Sequence, residues 1–121
     1  MVCFYMTEPG QDKPVTAEWL LRSIGASRRL SGFDYSEYMI EQVAYHNSSV
    51  HLITKRLYPE TAKHFGVKTH SVEHALRTLI NVCWENGNPE TIQEITCGNV
   101  SDVPSNSEFI DMLAAYLIHI S

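Results

Sequence analysis

The sequence has few cysteines, and their positions do not form a structural framework. Cys3, Cys83 and Cys97 are odd in number, and no two of them stand in a Cys-x-x-Cys pair. Neither a set of disulfides nor a zinc ribbon is therefore indicated. A reducing compartment fits this usage best, so we expect a cytoplasmic protein.

Long apolar runs are also absent. The opening MVCFYM is apolar, but it is far shorter than the core of a signal peptide and polar residues follow it at once. No later run approaches the ~18 apolar residues that a membrane span needs. We therefore expect a soluble protein that has no membrane partner.

Positive charge is scarce, with 9 lysines and arginines against 14 acidic residues and a net charge of −5 at pH 7. This balance argues against binding of nucleic acid over the whole surface. The charges are segregated, however, because residues 50–77 hold five basic and two acidic side chains, a local charge of +3 that leaves −8 for the remainder. Four of the six histidines, His51, His64, His70 and His74, lie in the same basic window, residues 50–77. Contacts with nucleic acid are therefore expected from this window.

What the sequence does contain is a helix-turn-helix pattern in residues 57–84, LYPETAKHFGVKTHSVEHALRTLINVCW. Pro59 can open a short first helix, where its missing amide hydrogen costs nothing, and Gly66 can close that helix in the left-handed conformation. Ala62 is small where a crossing helix must come close. Thr69 is the expected N-cap of a second helix, whose apolar residues recur at steps of three and four. The expected buried positions are Val72, Leu76, Leu79, Ile80, Cys83 and Trp84, with Phe65 and Val67 as apolar plugs beside the turn.

The opposite face of this second helix is polar. It comprises Thr69, His70, Ser71, Glu73, His74, Arg77, Thr78 and Asn81. Such a face can read base edges in the major groove of DNA. The pattern alone also fits an ordinary two-helix corner, but its coincidence with the basic window favours DNA binding. We expect contacts to double-stranded DNA from Lys55, Arg56, Lys63, Lys68, Thr69, His70, Ser71, Glu73, His74 and Arg77.

Two rival chemistries are weaker. His70 and His74 stand four residues apart, a spacing that suits zinc, and His64 is the nearest candidate for a third ligand. No third ligand of good quality is placed by the sequence, and histidines that face a DNA groove explain the same pair. The chain also shows no nucleophile elbow, phosphate-cradling glycine loop or paired carboxylates. We expect a protein that is not an enzyme and needs no metal or cofactor.

The rest of the chain indicates further helices, because no alternating run is long enough for a sheet. We expect residues 1–14 to form a tail or linker and residues 15–121 to form one all-α domain. Thr16 is the expected cap of a first helix that runs to about Ile24, and Gly25 follows as its stop. Its apolar side comprises Trp19, Leu20 and Ile24.

Two more helices are expected before the helix-turn-helix. A loop over residues 26–32 precedes a helix that runs from Tyr35 towards His46, and residues 47–49 break it. A third helix then carries Val50 to the residue before Pro59. The apolar sides comprise Tyr38, Met39, Val43 and Ala44 in the one and Val50, Ile53 and Leu57 in the other.

Clear boundaries follow Trp84. The string ENGNPE gives a glycine stop, Asn88 as a cap and Pro89 at the first position of a short helix that ends at residues 97–99. Ser105 and Glu108 form a capping box at the start of the last helix. That helix carries Phe109, Ile110, Met112, Leu113, Tyr116, Leu117, Ile118 and Ile120. This apolar surface is broader than one core-facing stripe, so the helix either faces a partner or is buried on two sides by its own domain, which we favour.

Four strings of the sequence, LYPETAKHFG, VEHALR, WENGN and PSNSEFI, resemble a known family in order and separation. This family is the C-terminal DNA-binding effector domain of the stage-zero sporulation response regulator (stage zero sporulation protein A). The resemblance covers roughly Ala17 to Leu117. It implies a compact bundle of about six helices that binds the major groove as a dimer and regulates transcription initiation. We also expect RNA polymerase or another regulator as a possible partner.

The resemblance also shows two departures. Where the family has an SRVER-like run, this chain has His70, Ser71, Val72, Glu73 and His74, so Ser71 and His74 replace two arginines while Glu73 and Arg77 match. Serine and histidine cannot copy the bidentate contact of arginine to guanine, so we expect an altered base preference. Residues 1–14 cannot house a receiver domain, so we expect a stand-alone relative or an excised domain. The alternative function is a protein-interaction module that kept the fold and lost DNA binding.

Overall fold

The computed structural model describes residues 16–46, 53–87, 89–95 and 102–120, and every regular element among them is helical. The described ranges contain six α-helices, α1 (Ala17–Ser23), α2 (Gly32–Tyr45), α3 (Tyr58–Phe65), α4 (Thr69–Val82), α5 (Pro89–Ile95) and α6 (Asn106–Ile120). Two short π-helical segments adjoin the helix-turn-helix, Ile53–Leu57 before α3 and Cys83–Gly87 after α4. The prediction of an all-α bundle with a helix-turn-helix is confirmed.

Some sequence predictions fall outside the described residues. They concern the tail at residues 1–14, the helix break at residues 47–49, the third helix's start at Val50, the Asn88 cap and the stop at residues 97–99.

The predicted caps of the first and last helices are confirmed. The Thr16 hydroxyl accepts a hydrogen bond from the amide of Trp19 at 3.1 Å, and α1 ends before Gly25, which has a φ of 104°. At α6 the Glu108 amide donates to Ser105 Oγ at 3.2 Å, and the Ser105 amide donates to Glu108 Oε1 at 2.9 Å. Hydrogen bonds to the Glu108 carboxylate from the backbone and then the side chain of Ser105 favour its charged form, so they hold the pKa of Glu108 below its usual value.

The second helix begins earlier than we predicted, at Gly32 instead of Tyr35. A Cβ atom at Gly32 would overlap the backbone of Ala75, so α2 and α4 cross there at the distance only glycine allows. Phe33, the next residue, is fully buried. Tertiary contact therefore overrides the poor helix propensity of glycine at this position.

The third predicted helix does not stop at Tyr58. Residues 53–57 form a π turn that continues directly into α3, so Pro59 is the second residue of α3 and not its first. The Thr61 hydroxyl donates to the carbonyl oxygen of Leu57 at 2.7 Å, and Tyr58 is only 3% exposed. Burial of Tyr58 and the local π turn outweigh the bias against helix before proline.

The core lies where α2, α4 and α6 meet, with α1 and α5 packed at its sides. Among the described side chains of α6, six apolar residues are buried, namely Phe109, Ile110, Leu113, Ala114, Tyr116 and Leu117, and this helix contacts α1, α2, α4 and α5. Its broad apolar surface is therefore covered largely by its own domain, as we favoured, although Ile118 is 53% exposed. Trp19, expected on the apolar side of α1, is 36% exposed because Leu20 and Leu21 fill the core side.

Cys83 is fully buried in this core, and burial raises the pKa of its thiol to about 12. A buried thiol of this kind is inert, which agrees with a packing role for Cys83. Among the described residues, no helix has both the length and the apolar character needed to span a bilayer.

Candidate nucleic-acid interface

The turn between α3 and α4 has the geometry of a helix-turn-helix. Gly66 adopts the left-handed conformation with φ 69° and ψ 35°, as predicted. The Val67 amide donates to the carbonyl oxygen of Ala62 at 2.9 Å, which closes the end of α3. A side chain at Gly66 would meet no atom, so only the positive φ requires glycine there.

The N-cap of α4 differs from the prediction by one residue. Lys68 occupies the cap with an extended backbone and Thr69 is the first helical residue, so Thr69 does not cap the helix. The carbonyl of Lys68 accepts from the amides of Ser71 at 3.0 Å and Val72 at 3.3 Å, but no side chain caps this end. A lysine side chain cannot accept the hydrogen bond that a threonine would, and Lys68 is instead exposed beside the start of α4.

The orientation predicted for α4 is confirmed. Val72, Leu76, Leu79 and Ile80 are fully buried, and so is Cys83 just beyond the helix. On the other side Thr69, His70, Glu73, His74 and Thr78 are exposed, and Ser71, Arg77 and Asn81 are half-buried. The face is therefore presented to the outside; its part in DNA binding stays a prediction.

The prediction that Phe65 is an apolar plug beside the turn is wrong. Phe65 is 36% exposed and packs at the surface, where its ring centroid lies 5.1 Å from that of Tyr35 and 5.7 Å from that of Tyr38. Val67, on the other side of the turn, is half-buried against the core as expected. Phe65 is exposed because Ala62 and Tyr58 already occupy the core side of α3.

The histidines of the basic window lie on different surfaces. His64 stacks on Tyr38 with a centroid distance of 4.3 Å, on the side of α3 that faces α2. His70 and His74 lie on the outer face of α4, and His51 is outside the described residues. Within the described ranges, no three histidine, cysteine or acidic side chains are grouped so that they could hold a metal ion.

The cations of the basic window separate into two kinds. Lys55, Arg56, Lys63 and Lys68 are exposed, and none of them forms an ion pair with another described residue. Arg77 is half-buried, and its Nη1 donates to the carbonyl oxygen of Pro104 at 3.3 Å. Four cations are therefore available to phosphate groups in full, and Arg77 only with the donors that remain.

A groove of about 680 Å³ runs beside α4. One wall is the face of α4 that carries His70, Glu73, His74 and Arg77. The other walls come from Ile53, Thr54 and Tyr58 and from residues 105–107 at the start of α6. Basic, acidic and hydroxyl side chains thus meet in one open groove.

Of the ten residues that line this groove, the predicted DNA contacts include only His70, Glu73, His74 and Arg77. Tyr58, the residue before Pro59, and Asn106, within the string PSNSEFI, were not predicted to belong to a site. The structure joins them, since Asn106 Nδ2 lies 2.9 Å from the Tyr58 hydroxyl oxygen. The two residues are 48 positions apart, so no local pattern signals their contact.

Comparison with known families agrees with this geometry. Residues 17–117, nearly the whole chain, match the family described as Sporulation initiation factor Spo0A C terminal. The match includes the helix-turn-helix, the groove and the start of α6. The chain therefore belongs to the family of Spo0A C-terminal domains, which are DNA-binding effector domains and not enzymes.

Proposed function

We propose that this protein is a sequence-specific DNA-binding regulator of transcription whose α4 enters the major groove. The observations that support this most are the polar outer face of α4 and four exposed, unpaired cations in the segments that lead into it, from the π turn before α3 to the cap of α4. A helix presented in this way fits the width of the major groove, and cations beside it meet the phosphates at the groove's edges. The family to which the chain belongs supports the same role.

The side chains fall into two proposed roles. Base edges are contacted by Thr69, His70, Ser71, Glu73 and His74. Phosphates are contacted by Lys55, Arg56, Lys63, Lys68 and Arg77, and these contacts set the register of the protein on the duplex. Contacts of the first kind decide which sequence is bound, whereas contacts of the second kind supply affinity for every sequence.

The base preference is proposed to differ from that of the family pattern. Ser71 and His74 stand where the SRVER-like run has arginines, and both are accessible on α4. Serine and imidazole make single hydrogen bonds where arginine makes bidentate ones to guanine. We therefore propose a target with fewer guanine contacts, held to a greater extent by the surrounding lysines.

The first test is an anisotropy titration of the protein against random duplex at low salt. We expect binding that weakens as salt rises, with a slope that reflects a few phosphate contacts. Selection from a random duplex library then gives the preferred site. Replacing Ser71, Glu73 and His74 should change that site, whereas replacing Lys68 should weaken all sequences about equally. Binding weaker than about 100 μM at low salt would contradict the proposal.

A second function has one observation in its favour. The chain is acidic overall, with a net charge of −5, and lacks two arginines of the family pattern. A domain that kept the fold and works by contact with another regulator, with RNA polymerase or with a second copy of itself has these properties. Absence of duplex binding together with a defined homodimer or heteromer in analytical ultracentrifugation would favour this interaction module.

A further inference from the structure

The start of α6 is tied to both helices of the helix-turn-helix through Asn106. Its Nδ2 donates to the hydroxyl oxygen of Tyr58 at 2.9 Å and to the backbone carbonyl oxygen of Glu73 at 3.3 Å. Because a carbonyl oxygen can only accept, the nitrogen of the amide and not its oxygen must face Glu73. One side chain thus joins the first residue of α3 to the second turn of α4.

A second hydrogen bond leads from α4 to the segment before α6. Arg77 Nη1 donates to the carbonyl oxygen of Pro104 at 3.3 Å. Glu73 and Arg77 are four residues apart, so the two bonds lie on one side of α4, one turn from each other. We refer to Tyr58, Glu73, Arg77, Pro104 and Asn106 as the α6 clamp.

The α6 clamp supplies directional contacts to α4, which the apolar packing of α4 against the core does not. Apolar contacts of Leu76 and Leu79 hold α4 against the core, but burial of apolar surface is non-directional. Hydrogen bonds weaken steeply when their geometry is distorted. Two of them, one turn apart, therefore resist both rotation of α4 about its axis and sliding along it.

We propose that Asn106 is a positioning residue, which acts through the α6 clamp to fix the orientation of α4 relative to α6 and so the bases that α4 meets. This inference rests on the proposed function. Tyr58, Glu73, Arg77 and Asn106 all line the groove beside α4, so the same bonds set the distance between its walls.

The consequence for recognition differs between the two kinds of contact. Base contacts need side chains held within about 0.5 Å of the productive geometry, whereas long lysine side chains can follow a phosphate over larger shifts. Loss of the clamp should therefore reduce discrimination between sequences more than it reduces affinity for random duplex. A purely structural role of Asn106 would not produce this separation.

The experiment compares Asn106→Ala and Tyr58→Phe with a matched control, Glu108→Ala. The control weakens the same helix start, because it removes half of the capping box, but it leaves the clamp in place. Amide hydrogen exchange of the free proteins is measured for α4 and α6. We expect amide exchange in the second turn of α4 to become roughly tenfold faster in Asn106→Ala, which loses both hydrogen bonds that Asn106 donates. In Tyr58→Phe, which loses only the bond from Asn106 to Tyr58, we expect exchange to become about threefold faster.

The same variants are then titrated with the site selected by the wild type and with random duplex. For Asn106→Ala we expect the ratio of the two affinities to fall roughly tenfold and the random-duplex affinity to change less than about twofold. For Glu108→Ala we expect faster exchange at α6 and an unchanged ratio. If Asn106→Ala does not fold, Tyr58→Phe carries both measurements.

The possible outcomes separate the inference from the proposed function. Unchanged exchange in α4 of both clamp variants would overturn the inference, whether or not DNA binds. Faster exchange in α4 with an unchanged affinity ratio would also overturn it, because orientation would then not govern recognition. If the wild type binds no duplex while α4 loosens as expected, the proposed function fails and the clamp stands as the fixture of α4.

Discussion

Two groups of basic residues in this protein differ in what surrounds them. Arg28, between α1 and α2, is paired with three carboxylates, those of Glu18, Asp34 and Glu37, and its guanidinium lies 4.8 Å from the centroid of the Phe33 ring. Arg22 next to it pairs with Glu18 at 3.1 Å. By contrast, the four exposed cations around α3 and α4 have no ion-pair partner among the described residues.

This comparison shows why net charge is a poor guide to the partner of this chain. The paired arginines contribute to the fold and present little unbalanced charge to a ligand. Unpaired lysines keep their full attraction for phosphate, and each contact releases counterions from DNA. The relevant quantity is therefore the charge that remains unpaired in the basic window, which is positive although the protein carries −5 in all.

The largest effect is expected when the unpaired group is removed. Replacing Lys55, Arg56, Lys63 and Lys68 together by alanine should lower the affinity for random duplex on the order of a hundredfold at physiological salt, and the salt slope by about one for each cation that contacts phosphate. These side chains are exposed and unpaired, so thermal unfolding should barely change. Anisotropy titrations at several salt concentrations, with calorimetry on the same samples, measure both.

Each cation is then restored singly. A lysine whose return leaves the slope unchanged does not contact phosphate and would be removed from the proposed interface. A quadruple variant with wild-type affinity and slope would contradict the idea that unpaired charge on this face binds DNA.

A smaller effect is expected from the histidines of α4. Histidine as a residue type changes charge between pH 5 and pH 8. His70 and His74 are exposed on the outer face of α4, and Glu73 and Arg77 face the same groove. Affinity for duplex should rise roughly fivefold from pH 7.5 to pH 5.5, and the salt slope should steepen.

The variant that tests this is His70→Gln, His74→Gln, with His46→Gln as its control. His46 is also exposed, but it follows α2 and lies outside the basic window. The double variant should lose the pH dependence and the control should keep it. The same pH dependence in all three proteins would exclude the α4 histidines from the contact with DNA.

Much of the fold could be predicted because local signals and tertiary contacts agree. Gly66 requires a positive φ, and Ser105 and Glu108 satisfy each other across one turn, so short stretches of sequence determine both features. The start of α2 could not be predicted in this way. Gly32 is poor for helix formation on its own and is helical because α4 crosses it closely.

The candidate site was predictable only in part for the same reason. The periodicity of α4 shows which of its side chains face outward, and the structure agrees. The contacts of Asn106 with Tyr58 and of Arg77 with Pro104 span 48 and 27 residues. These contacts depend on how α6 packs against the rest of the domain. The periodicity of a single helix does not predict that packing.

The paired group should show the opposite behaviour to the unpaired one. Replacing Arg28 by alanine removes its ion pairs and its contact with the Phe33 ring, and should lower the free energy of unfolding by about 1 kcal/mol. Affinity for random duplex should not fall, because this arginine is not available to phosphate. Urea unfolding and the same duplex titration measure the two quantities, and a loss of affinity without a loss of stability would reverse the comparison.

The smallest effect concerns a carboxylate that Arg28 does not reach. Glu41 is half-buried on α2, and its pKa is raised by burial and by the charge of Glu37, with His46 acting in the opposite direction. A raised folded-state pKa means that the charged form is disfavoured by folding, so the resulting loss of stability is absent below the unfolded pKa and complete above the folded one. Glu41→Gln should therefore stabilise the protein at pH 7, by a few tenths of a kcal/mol after solvent screening, and have no effect near pH 3.

The matched variant Glu37→Gln gives this last prediction its control, because Glu37 pairs with Arg28 at 3.5 Å. Glu37→Gln removes an attraction as well as the repulsion from Glu41, so it should not produce the gain at pH 7 that Glu41→Gln produces. Urea unfolding of both variants at pH 3 and pH 7 makes the comparison. A gain for Glu41→Gln that is equal at the two pH values would arise from side-chain packing, and the assignment of Glu41 as an uncompensated charge would be wrong.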